Sequence, residues 1–258
     1  MRKHTVFAFL AMMLGICIMT YAGIQWSEAK QIYQEGDTIY DDLSDRVKKS
    51  TASDFRAHSA SAGASAPKVY IPEQEIDFEV LRTINKDAAA WLYSPDTVID
   101  YPIMKADDYS YYLNHLPDRT ANANGSLFID YNNASDFSDP LTVIYGHYMK
   151  SGRMFGSLKG YKDQRYYDAH PYMYLYTEEQ NYRIDLLYGC LIGAGQWREQ
   201  AFMYSVNAES LLAYAAYNTT FESGIEYEKG DRLIAMSTCS YEFDDARYVV
   251  IGILRSEY

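Results

Sequence analysis

From about Val69 onward the chain carries short apolar bursts broken by polar turns. "TVIDYPIM", "GSLFIDY", "LTVIYGH", "YMYLYT", "YRIDLLYGCLIG", "RLIAMSTC" and "RYVVIGIL" are rich in β-branched and aromatic residues and predict strands. "NANG", "NNASDFSDP" and "TEEQN" separate them as turns, and the short loops favour antiparallel pairing. Many strands with few helices predict a closed or nearly closed barrel. Ahead of them "IDFEVLRTINKDAAAWL" has apolar residues at helical spacing and predicts an opening helix. Between the fifth and sixth strands lies "GAGQWREQAFMYSVNAESLLAYAAYNTTFESGIEYEKG", too long for a hairpin, with a helix predicted over "AESLLAYAAYNTTF". Long insertions at one end of a barrel build binding grooves.

The N-terminal pattern is different. Arg2, Lys3 and His4 precede an uncharged run, Val6 to Ile24. As a helix at about 1.5 Å per residue it would be roughly 28 Å long, close to a bilayer core. The basic residues before it predict a cytoplasmic tail (1–5), a single-pass anchor (6–24) and an extracellular remainder at the cell membrane. A cleaved signal peptide is the rival reading, against which "TYAGIQW" offers only a poor cleavage site. Ser27 to Phe55 is charged and helix-compatible, and "AHSASAGASAPK" (57–68) reads as a flexible linker. Residues 25–68 are thus expected to form a stalk and linker, and 69–258 the folded domain it carries.

The formal net charge of -12 argues against a nucleic-acid partner, which would want a basic face. Three cysteines in a chain of 258 residues are too few for a disulfide scaffold. Cys17 lies in the apolar run. Cys190, in "IDLLYGCLIGA", reads as a buried hydrophobe, although a Cys190–Cys239 bridge is compatible with the sequence. Cys239 ends one strand and Arg247 opens the next, so antiparallel pairing makes them neighbours. A guanidinium there can favour a thiolate or hold an oxyanion; the plainer alternative is a small residue beside a surface arginine. A cysteine nucleophile needs a base or ion-pair partner. His4 falls in the tail, His58 in the linker, and His115 and His170 in loops. His147 ends the run "LTVIYGH", at a strand end like Cys239 and Arg247.

"YGH" after one strand, "STC" ending a second and an arginine eight residues beyond the cysteine resemble sortases, the membrane-anchored transpeptidases of Gram-positive bacteria. "GSLFIDYNN", "VIYGHYMKSGRMFGSL", the N-terminal helix and the crossover helix resemble class B in particular, over about Val69 to Tyr258. The resemblance implies a mainly β fold, an eight-stranded sortase-type barrel, with "AAWLYS" as the remaining strand. It implies Cys239 as nucleophile, His147 as catalytic histidine and Arg247 as catalytic arginine. It matches Asn114, Tyr145 and Ser237 to positions lining the signal groove and Thr238 to the threonine of the family motif. Some class B enzymes carry an acidic residue just after the cysteine, where this chain has Ser240 and Tyr241. The implied reaction is cleavage of a C-terminal sorting signal after threonine, through a thioester, and transfer to an amine of the peptidoglycan cross-bridge or lipid II. Implied partners are surface proteins with an Asn-Pro-x-Thr-Asn or Pro-x-Thr-Gly type of signal; a pilin lysine is the other acceptor class. No metal or cofactor is expected. Two alternatives stand beside this reading. One is a cysteine hydrolase of peptides or peptidoglycan, with Asp244 or Asp245 orienting the histidine. The other is a non-catalytic surface-binding domain.

Overall fold

The computed structural model describes residues 2–48, 74–199, 209–240 and 242–256. Eight strands among them close a barrel: β1 (Ala88–Tyr93), β2 (Asp100–Lys105), β3 (Leu127–Ile129), β4 (Leu141–Tyr145), β5 (Tyr172–Tyr176), β6 (Asn181–Gly193), β7 (Leu233–Cys239) and β8 (Ala246–Ser256). Their order around the barrel is β1-β2-β3-β4-β7-β8-β6-β5, closed by the β1–β5 pair. All seven sequence-predicted strands are present, and "AAWLYS" supplies β1.

Strands joined by short loops pair antiparallel, as expected, and the barrel is mixed because β2–β3 and β4–β7 are parallel. Parallel neighbours need long connections, and residues 106–126 and the segments between β4 and β7 provide them. The opening helix is shorter than its periodicity predicts. α2 (Phe78–Ile84) is capped by Asp77, which accepts from the Val80 N–H at 3.0 Å, and ends at Asn85. The Ala-rich stretch after it, a helix former by propensity, is drawn into β1 because Ala90, Trp91 and Leu92 bury there.

Strand β7 is buried on both sides, which explains its unbroken apolar run. Ile234 and Met236 join the barrel interior with Leu127, Ile144 and Val250. Leu233 and Ala235 face outward with Val143 and Val249, under Leu211 and Ala215 of α5 (Glu209–Asn218). The crossover helix therefore packs on the outer face of the barrel, chiefly against β6, where Tyr214 Oη donates to the Leu191 carbonyl at 2.9 Å. A short α4 (Ala194–Trp197) precedes it, and α3 (Gln164–Ala169) leads into β5.

The N-terminal segment forms one continuous helix, α1 (Arg2–Val47). No helix among the described residues is long and apolar enough to cross a membrane. This overturns the anchor expected over 6–24, and with it the single-pass placement at a cell membrane, the cytoplasmic N-terminus and the extracellular catalytic domain. The apolar run is not a bounded segment; it passes without a break into a charged half. That second half is no free stalk. Gly36, Tyr40, Leu43 and Val47 make a buried stripe at helical spacing against the barrel. Burying Leu43 and Val47 contributes about 1.5–3 kcal/mol each, while Gly36 lets the helix approach closely. The linker expected over 57–68 lies outside the described residues.

Candidate active site

The site follows from strand register. Tyr145 of β4 pairs with Ser237 of β7 in parallel, and the Gly146 N–H continues the ladder to the Ser237 carbonyl at 3.2 Å. Two residues further on come His147, just past the end of β4, and Cys239, the last residue of β7. On the other side of β7, Cys239 pairs directly with Arg247 of β8. Three adjacent strands thus deliver a histidine, a thiol and a guanidinium side by side. Side chains alternate along a strand, so Tyr145, Ser237, Cys239 and Arg247 share the outward face with Val143, Ala235 and Val249. This is the face that α5 covers further down.

A groove of about 570 Å³ opens there. His147, Cys239 and Arg247 line it together with Tyr145, Ser237 and Thr238. Cys239 is exposed, while the residues before it in β7 are buried. All three cysteines are free thiols, so the Cys190–Cys239 bridge is not formed. Cys190 is fully buried in β6, and burial pushes its thiol up to about 12, which leaves it protonated and inert.

His147 is half-buried, and its Nε2 lies 2.6 Å from the Leu113 carbonyl oxygen. A carbonyl only accepts, so Nε2 carries the hydrogen and Nδ1 is the position left for proton transfer. The orienting partner is a backbone carbonyl, not Asp244 or Asp245, both of which are exposed. Gly146 lets the strand turn into this position: a Cβ there would lie 2.4 Å from Leu127 Cδ2 and 2.6 Å from Phe155 Cδ2. The "YGH" pattern is therefore a packing requirement as well as a chemical one.

Arg247 donates from Nη1 to the Ala246 carbonyl at 3.0 Å and, more weakly, to that of Asp245 at 3.5 Å. A guanidinium has five N–H donors, so others remain for a ligand in the groove. Ser237 and Thr238 are buried, and neither side-chain hydroxyl has a hydrogen-bond partner among the described residues. A buried hydroxyl without a partner is costly; Ser237, on the groove face, would meet the carbonyls and amides of a peptide there, whereas Thr238 belongs to the opposite face of β7, with Ile234 and Met236. Asn114 is exposed, and its Nδ2 donates to the Ser110 carbonyl at 3.3 Å. Its neighbour Leu113 lines the groove instead.

Several lining residues escaped the sequence reading. Tyr109, Tyr131 and Phe128 form an aromatic wall with Tyr145. Asp130, fully buried, accepts from Tyr109 Oη at 2.9 Å and Tyr145 Oη at 3.0 Å, fixing both rings. An aspartate immediately after a buried three-residue strand was the available signal. Trp197 and Arg198 come from the crossover.

No acidic residue directly follows Cys239, but Glu242 closes the same turn. It is bonded to Lys162 Nζ and to the Ser240 hydroxyl. Burial works against its charge, yet these bonds hold its carboxyl down at about 2. The folded value lies below the ordinary one of about 4.3. The staple is thus fully present above about pH 4.3 and is lost as pH falls through about 2. Because the pair is partly solvated, its effect is expected to be under about 1 kcal/mol. The difference in stability between wild type and Glu242→Gln, measured by urea unfolding, should be constant from neutral pH to about 4.5 and shrink below that.

No family model matches the chain. The sortase B of Listeria monocytogenes serovar 1/2a is 34% identical over 178 residues, covering 67% of this chain and 72% of that protein. Among solved structures, a mutant form of Clostridium perfringens sortase B superposes with a TM-score of 0.65 at 27% identity, over 69% of this chain and 86% of that one. A class B sortase of Streptococcus pyogenes involved in pilus biogenesis gives a TM-score of 0.63 at 27% identity, over 69% and 97% of the two chains. With the closed mixed barrel and the strand-end constellation it carries, the similarity establishes that this chain belongs to the sortase family of transpeptidases.

Proposed function

We propose that the chain is a class B transpeptidase that cleaves a C-terminal sorting signal after threonine and transfers the protein to an amine. The observation that carries this reading is the convergence of His147, Cys239 and Arg247 at the ends of three adjacent strands, in one groove. The Cys239 thiolate attacks the threonine carbonyl carbon, forming a C–S bond and an oxyanion. Arg247 donates to that oxyanion. As the tetrahedral adduct collapses, the C–N bond breaks and imidazolium His147 gives its Nδ1 proton to the departing amine. An incoming amine then attacks the thioester, loses a proton to the now neutral His147 and releases the thiolate. The orphaned hydroxyl of Ser237 and the aromatic wall around Tyr145 are suited to hold an extended peptide, with Thr238 contributing its place on β7 between Ser237 and Cys239. Asn114, next to Leu113, would reach it only at the groove rim.

The substrate would be a surface protein ending in an Asn-Pro-x-Thr-Asn or Pro-x-Thr-Gly type of signal. The acceptor would be a peptidoglycan or lipid II amine. The involvement of one structural relative in pilus biogenesis keeps a pilin lysine as the second acceptor class. Mass spectrometry of both signal peptides, with and without triglycine, tests this. Cleavage at threonine with an amine-dependent ligated product is expected. Hydrolysis with no ligation would favour the cysteine-hydrolase reading, and no thiol-dependent turnover the binding-domain reading.

A further inference from the structure

Helix α1 reaches the histidine through one glycine. The Tyr40 hydroxyl, buried between α1 and the barrel, donates to the Gly125 carbonyl at 2.7 Å. Burial drives the Tyr40 phenol well above its ordinary range, so it stays a donor. Gly125 has φ +59° and sits directly under the histidine. A Cβ there would lie 2.6 Å from the Tyr112 carbonyl, 2.8 Å from the Leu113 carbonyl and 3.0 Å from His147 Cδ2. The Leu113 carbonyl is the same group that orients His147 Nε2. Gly125 is therefore wedged between the helix on one side and the imidazole with its acceptor on the other.

Further contacts fasten α1 to the loops that hold this arrangement. Asn122 Nδ2 donates to the Ile32 carbonyl at 3.0 Å and Asn124 Nδ2 to that of Tyr33 at 3.4 Å. Gly36 faces Asn124 so closely that a Cβ would lie 2.2 Å from its Nδ2. On the other flank Asp37 pairs with Arg153 at 3.1 Å, in the loop that follows His147. The Ser126 N–H donates to the Tyr112 carbonyl at 2.7 Å and the Asn122 N–H to that of Asn114 at 2.9 Å, tying the two ends of the 111–126 loop together. The helix grips both chain segments that meet at the imidazole.

We infer that α1 is a positioning element for the reaction, with Tyr40 acting through Gly125 to fix the ring of His147. Tyr40 touches neither substrate nor thiol; its effect is on where the proton donor stands. Small misplacement of a reacting group costs up to about a hundredfold in rate. The inference rests on the proposed role of His147 as the acid that protonates the leaving amine.

Tyr40→Phe keeps the ring and its packing and removes only the hydroxyl. In the full chain, well below its melting temperature, it should lower kcat about tenfold or more and leave KM within about twofold. The His147 ring nitrogen and proton resonances should shift as the Nε2–Leu113 bond loosens. Asp37→Asn, which weakens the clamp from the surface, should shift them in the same direction with a smaller loss of kcat, and it reads the coupling even if Tyr40→Phe folds poorly. A Tyr40→Phe variant that melts earlier but keeps wild-type kcat and ring resonances would make the helix a structural brace only, overturning the inference. His147→Ala serves as the control. If it is inactive while Tyr40→Phe turns over normally, only the inference fails. If His147→Ala keeps normal turnover, the acid role itself is wrong.

Discussion

Cys239→Ala is expected to abolish both cleavage and transfer while leaving the barrel at wild-type stability. The thiol stands at the last residue of β7, exposed in the groove, so removing its sulfur opens no cavity in the core. A surface substitution of this kind changes stability by about 0.5 kcal/mol or less. The chemical loss is total, because the thioester has no other sulfur to form on. Cys190 is sealed in β6 and its thiol is pushed up to about 12 by burial. Only the thiolate is a nucleophile, so a thiol alkylator at neutral pH should modify Cys239 and spare Cys190. Peptide mapping after brief labelling, with unfolding curves of Cys239→Ala, checks both halves. Labelling of Cys190 before Cys239, or residual thioester in the alanine variant, would contradict the assignment.

The barrel strands were legible because most are buried on two faces or alternate cleanly. β7 and β8 read as apolar runs with a polar turn between them, and both lie where those runs predict. What the pattern could not carry is which strands meet. The parallel β4–β7 pair joins residues nearly a hundred positions apart, and that pair alone brings His147 beside Cys239. Without it His147 stands out only by its place at a strand end, which does not by itself say which strand lies next door.

The N-terminal helix was misread for a related reason. Its apolar first half has a membrane-like composition, and its second half looks like a solvated charged helix. The stripe Gly36, Tyr40, Leu43 and Val47 is thin among Asp37, Asp41, Asp42 and Asp45. It becomes apolar contact only once the barrel offers Tyr101 and the 122–126 loop to receive it. Asp130 was missed in the same way: in "FIDYNN" it reads as a turn residue, which it is, through its bond to the Asn132 N–H at 2.9 Å. Its second oxygen reaches two tyrosines from other segments, and no local pattern encodes that.

Arg247→Lys should be far less active than a charge-conserving exchange would be if charge were all that mattered. Arg247 pairs with Cys239 across β7 and β8, and its Nη1 is braced on the Ala246 carbonyl at 3.0 Å. That brace fixes the plane of the guanidinium while other N–H groups remain for the groove. Lysine keeps the positive charge but has a single flexible ammonium, with no planar fork to hold one donor on its own turn and aim another at an oxyanion. Losing one oxyanion donor costs about 2.7–4 kcal/mol in the transition state, or roughly a hundred- to thousandfold in kcat. If Arg247 served only to favour the thiolate, lysine would replace it almost fully, because a cation near the sulfur is then the whole requirement. The two roles separate when turnover of Arg247→Lys on a signal peptide is measured beside the alkylation rate of Cys239 as a function of pH. A drop in kcat with an unchanged alkylation profile is the expected result. Near-wild-type turnover would sink the oxyanion role, and a loss of turnover that tracks a shifted alkylation profile would reassign Arg247 to activation of the thiol.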